Sequence, residues 1–169
     1  MHDGWKPYRH YTACRHALCN IHHLRELTFL EEQYHQPWAK ELKGLLLEMK
    51  AAVTQARARG DQQLPEAERR AFVAHYEDLL AAGRAANPPP ERPPRQRGRV
   101  KQSPACNLLE RLSLGQGEVL GIWAFLHDLS IPFDNHQAEQ DLRLLKVQQN
   151  LAGSFRAVTG SEAFARIRG

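Results

Sequence analysis

The thirteen residues from Ile131 to Arg143 put a helix start, a carboxylate and a cation into one short stretch. Pro132 stops whatever helix precedes it, Asp134 can cap a new one, and Gln137 stands three residues later as a capping-box partner. The stretch predicts a helix beginning near Asn135. On such a helix Glu139, Arg143 and Lys146 fall at i, i+4 and i+7 and share a face, while Ala138, Leu142 and Leu145 form an adjoining apolar stripe that can dock on a core. The plain reading is a Glu–Arg pair on a solvated helix face. The sharper reading is an acid held on a rigid element beside two cations.

Two other groups could do chemistry. Cys14, Cys19, His22 and His23 include a Cys-x-x-His spacing, which is half of a zinc ligand set. No second paired cluster follows and Cys106 stands alone, so a buried thiol and packing imidazoles are the expected reading. Between Arg84 and Lys101 lie six basic residues and one acid, an excess larger than the whole chain's net charge of +4. Arg92, Arg95, Arg97, Arg99 and Lys101 could track a DNA backbone, adding affinity that falls with salt but no sequence reading. Alternatively the segment is a solvated tether.

Several elements must carry these groups. Residues 17–21 read as a short strand, and His22 to Gln33 as a helix. Pro37 suits a helix N1 position, and Trp38, Leu42, Leu45, Leu46, Met49 and Val53 repeat at helical spacing until Gly60. Pro65 with Glu66 and Glu68 opens another helix, with Phe72, Tyr76, Leu79 and Leu80 on one face until Gly83. The short polar connection predicts an antiparallel helical hairpin, a scaffold or an oligomer contact. Residues 84–104 are rich in proline and should be extended. Ser103 and Pro104 then restart helix as N-cap and N1, and a further helix from about Glu118 to Asp128 is apolar nearly all round, hence deeply buried. Thr159 and Glu162 offer a capping box for a last amphipathic piece.

At 169 residues and 42% apolar content the chain suits one domain, although its mean hydropathy of −0.57 is rather polar. No apolar run reaches the roughly 20 residues needed to cross a bilayer, and the first residues lack a signal peptide's apolar segment. Three cysteines without regular spacing argue against a disulfide framework. A cytoplasmic protein with no membrane partner is expected.

The run Asp134-Asn135-x-x-Ala138-Glu139-x-x-Leu142-Arg143, followed by Gly153-Ser154-Phe155-Arg156 and Gly160, resembles the C-terminal signature of the insertion sequence 66 family of transposases. Asp3-Gly4-Trp5-x-x-Tyr8 and Leu18-Cys19-Asn20-x-His22-His23-Leu24-Arg25-Glu26-Leu27 resemble that family's block around its second catalytic acid, and Lys101 to Leu112 resembles it again. The resemblance implies DNA cleavage and strand transfer by a DDE-type, ribonuclease H-like core. Asp3 and Glu139 would be the second and third acids holding Mg2+ or Mn2+, and Arg143, Lys146 and Arg156 would be phosphate contacts. Gln140 stands where an arginine usually follows the glutamate, which removes one such contact.

The same resemblance puts the first acid and the central strands upstream of Met1. The expected fold is therefore mainly α: a truncated ribonuclease H-like α/β core with a helical-hairpin insertion and little or no sheet. Its expected parts are a core remnant over 1–35, the hairpin over 36–83, the basic linker over 84–103 and a C-terminal helical part over 104–169. Such a chain would bind DNA, alone or as a homo-oligomer, but hold no metal and catalyse nothing by itself. A non-catalytic helical DNA-binding or dimerisation module is the alternative.

Overall fold

Trp38 and Gly83 fix the geometry around which the helices pack. In the computed structural model, which describes residues 1, 2, 6–14, 16–90, 100–114, 121–136, 140, 143, 147, 162 and 166, helix α2 runs Pro37–Arg59 and α3 runs Glu66–Ala86. Pro37 occupies the N1 position, where its missing N–H costs nothing. Gly60, at φ 80°, ends α2 in the left-handed conformation, its N–H donating to the Ala56 carbonyl. The chain then turns back, and Trp38 at the start of α2 meets Gly83 near the end of α3: the hairpin is antiparallel, as its pattern predicts.

Gly83 does not stop the helix. It is buried within α3, and a Cβ there would come 2.8 Å from Leu109 Cδ2 and 2.9 Å from Trp38 Cδ2. The glycine is a close-packing position, and helix continues through Ala86 into the stretch expected to be extended. The sequence reading mistook absence of a side chain for a terminator.

Helices α1 (Asn20–Tyr34) and α4 (Pro104–Leu114) complete the layer against the hairpin. Ser103 caps α4 as expected, its Oγ accepting the Cys106 N–H at 3.1 Å. The core combines Leu27 and Leu30 of α1, Leu42, Leu46 and Met49 of α2, Tyr76 and Leu80 of α3, and Leu108 and Leu112 of α4. Burying each such side chain contributes about 1.5–3 kcal/mol, so the stripes read from spacing carry most of the packing. Tyr76 donates its hydroxyl to the Leu112 carbonyl at 3.3 Å, and burial pushes that hydroxyl's pKa up.

Two elements differ from expectation. The strand over residues 17–21 is reduced to one parallel bridge between Leu18 and His2, because helix already begins at Asn20. The apolar helix expected from Glu118 appears only as α5 (Ala124–His127), preceded by a turn at Gly121–Trp123; residues 115–120 lie outside the described set. Ile122, Phe125 and Leu126 are nonetheless fully buried. The chain is thus mainly helical.

The chain divides into two compact units, Met1–Asp134 and Asn135–Gly169. In the second, His136, Gln140, Arg143 and Val147 are helical, which meets the expectation of a helix starting near Asn135. Gln140 Nε2 lies 2.7 Å from His136 Nε2 one turn away. Glu162 and Arg166 are helical too, within the piece expected after Thr159. No helix among the described residues is long and apolar enough to cross a membrane.

Candidate functional site

Several polar groups of the first unit meet where the N-terminal residues adjoin the start of α1. Where the N-terminal segment leads up to Asp3, the His2 N–H donates to the Ala17 carbonyl and the Cys19 N–H to the His2 carbonyl, both at 2.9 Å. The His2 ring sits edge-on to His16, with Nε2 and Nδ1 3.1 Å apart, and His16 Nε2 lies 2.8 Å from the Tyr11 carbonyl. These contacts make a small extended platform that joins His2 to the residues just before α1.

Asn20 then ties the platform to the loop before the second unit. Its backbone N–H donates to Phe133 O at 3.1 Å and its side-chain Nδ2 to Ile122 O at 3.2 Å, while Oδ1 is buried with no partner among the described residues. Farther along that loop, Lys50 Nζ donates to Asp134 Oδ2 at 3.1 Å and lies 4.9 Å above the Phe133 ring. Arg57, two turns on along α2, donates to Ile131 O at 2.6 Å. The hairpin therefore does more than scaffold: two of its cations latch residues 131–134. Sequence reading missed Asn20, Lys50 and Arg57, because nothing local marks a polar side chain whose partner lies more than seventy residues away. Asp134, expected as an N-cap, pairs with Lys50; the residues whose N–H groups it would cap include ones outside the described set.

His23 lies one turn after Asn20 on the same buried face of α1. It is buried, with no partner for Nδ1 among the described residues, and its pKa is lowered from 6.5 to about 4, by desolvation first and then by the Arg111 and His22 charges. A neutral, enclosed imidazole of this kind is a packing group, as expected. Cys14, exposed, lies 3.7 Å from His16, whereas Cys19 is buried, and none of the three cysteines forms a disulfide. No group of three His, Cys, Asp or Glu among the described residues is placed to hold a metal ion, and the zinc reading of Cys14, Cys19 and His22 gains no support.

Of the other expected site residues, Lys101 is exposed just before α4 and Arg143 is exposed on the helix of the second unit. Asp3, Arg92, Arg95, Arg97, Arg99, Glu139, Lys146 and Arg156 lie outside the described residues. The Transposase IS66 family model matches residues 1–163, nearly the whole chain. No curated protein and no solved structure matches it. The match takes in the platform at residue 2, the helices and most of the second unit, and by it the chain belongs to the IS66 family of transposases.

Proposed function

We propose that the chain acts in DNA transposition as part of a ribonuclease H-like, metal-dependent domain that cuts and joins DNA, with Asp3 and Glu139 as two of its three acids. The observation that carries this reading is the family match over residues 1–163, which spans both acids. Two carboxylates are hard oxygen donors of the kind Mg2+ or Mn2+ takes. When bound, such ions activate an attacking oxygen and stabilise the leaving one. The chain's own cations serve the DNA: Arg143, Lys146 and Arg156 neutralise phosphates near the acids, and Arg92, Arg95, Arg97, Arg99 and Lys101 track the backbone. The protein works where that DNA is, in the cytoplasm.

Two acids are too few for a pair of ions about 4 Å apart, so these 169 residues bind DNA without cutting it. The test incubates the purified chain with transposon-end DNA and Mg2+ or Mn2+. Cleavage that Glu139→Gln abolishes would overturn the proposed inactivity and strengthen the assignment of Glu139. For binding, neutralising the five cations from Arg92 to Lys101 should flatten the log–log salt slope by about 4 to 5. An unchanged slope removes that segment from the interface.

A second reading, a non-catalytic DNA-binding or dimerisation module, is favoured by one observation: α1–α4 bury a shared core without a sheet. It requires that a chain extended to include the upstream acid still cut no DNA. Cleavage by that longer chain would end it.

A further inference from the structure

Phe29 and Tyr34 are large aromatic side chains about half exposed on α1, 48% and 47% respectively. Their rings stand edge to face with centroids 5.6 Å apart, so Tyr34 braces Phe29. Beside Phe29 opens a cleft of about 410 Å³ between α1 and α4, within the range of roughly 300–1,000 Å³ typical of small-ligand sites. Its floor is Leu30 and Leu108, both fully buried. Polar groups stand around that floor: the Asn107 amide, and an Arg111–Glu26 ion pair that joins the two helices. An apolar floor, an aromatic wall and a rim offering both donors and acceptors match the chemistry of a heterocyclic base, which presents a flat π-face and a hydrogen-bonding edge.

The sequence supplies the reason a nucleotide would be there. Pro104 lines the cleft, and the basic segment precedes it in the sequence, with exposed Lys101 three residues away. We infer that the α1–α4 cleft takes a single unpaired DNA base, stacked on Phe29 and read at its edge by Asn107, Arg111 and Glu26, while Lys101 meets the adjoining phosphate. The site rests on the proposed DNA role and deepens it. It makes the chain a reader of unpaired strand as well as a binder of backbone.

The experiment measures binding of the full chain to three labelled oligonucleotides of equal length by fluorescence anisotropy: a single strand, the same strand with abasic positions, and a duplex. The ordinary single strand should bind about tenfold more tightly than the abasic one, the scale of one stacked base. Phe29→Ala should erase that preference while leaving abasic binding and its salt dependence unchanged, and Phe29→Trp should keep it. Because Phe29 is half exposed, its truncation spares the core, and an unchanged circular dichroism melt confirms this. Equal binding of ordinary and abasic strands by the parent chain overturns the base site and leaves the DNA role standing. Absence of binding to all three overturns both. If Phe29→Ala instead abolishes self-association in sedimentation while DNA binding is unaltered, the cleft is a contact between copies and the base site is refuted.

Discussion

Replacing His23 with leucine should remove a defined part of the acid sensitivity of this fold. His23 is held neutral because its burial, with Arg111 and His22 nearby, lowers its pKa from 6.5 to about 4. The unfolded chain therefore takes up a proton at a pH where the folded chain does not. Above pH 6.5 the imidazole is neutral in both states and costs nothing. As pH falls from there towards 4, protonation favours the unfolded state increasingly, and the loss levels off below the folded value. At about 1.4 kcal/mol for each pH unit between the two values, the whole loss is about 3 kcal/mol, of which about 2 kcal/mol has appeared by pH 5. Against a typical total of roughly 5–15 kcal/mol that is a large share. Urea unfolding of the parent and of His23→Leu at a series of pH values gives the difference directly. Taking the difference cancels other groups that titrate in the same range, such as His127, whose pKa burial also lowers. Parallel stability curves for the two proteins between pH 7 and pH 4 would refute the argument, since they would mean that His23 protonates as easily folded as unfolded.

Gly83→Ala should destabilise by about 1 kcal/mol: the helix-propensity gain of about 1 kcal/mol is outweighed by overpacking of roughly 1–3 kcal/mol against Trp38 and Leu109. A higher urea midpoint would contradict this. His35 closes α1 at φ 49°, a left-handed conformation that costs a side-chain-bearing residue about 1–2 kcal/mol. His35→Gly should therefore raise the melting temperature, by up to about 1 kcal/mol of stability once glycine's own entropy is counted. Lys50→Met should cost about 1 kcal/mol or less, because the Lys50–Asp134 pair is partly exposed, and the cost should shrink in high salt. A salt-independent loss would point to packing over Phe133 instead.

What the sequence made legible was periodic or punctuated. The α2 stripe from Trp38 to Val53, the Gly60 stop and the Ser103 cap are all local signals, and each has its counterpart in the structure. Family motifs gave the identity, which no periodicity could. Gly83 shows the limit: glycine at a helix end and glycine under an indole look alike until the partner is known. The same holds for Asn20, which reads as an ordinary polar residue beside a helix start but is a buried tie to Ile122 and Phe133. The proposed acids Asp3 and Glu139 rest on motif alone, because a carboxylate's meaning depends on neighbours far away in the chain.

The two stems of the proline-rich basic segment are fastened to each other. Cys106 donates its thiol to the Asn87 carbonyl at 3.2 Å, and the Asn87 amide in turn donates to Gln36, which also accepts from the Trp38 indole. The residues between them join two points that are already fixed, and lengthening a connection of that kind is inexpensive, about 0.6 kcal/mol for each doubling. Residues added or removed between Pro90 and Val100 should leave the helices hardly changed, which lets the length of this connection drift over evolutionary time and offers an engineer a graft point for a foreign module.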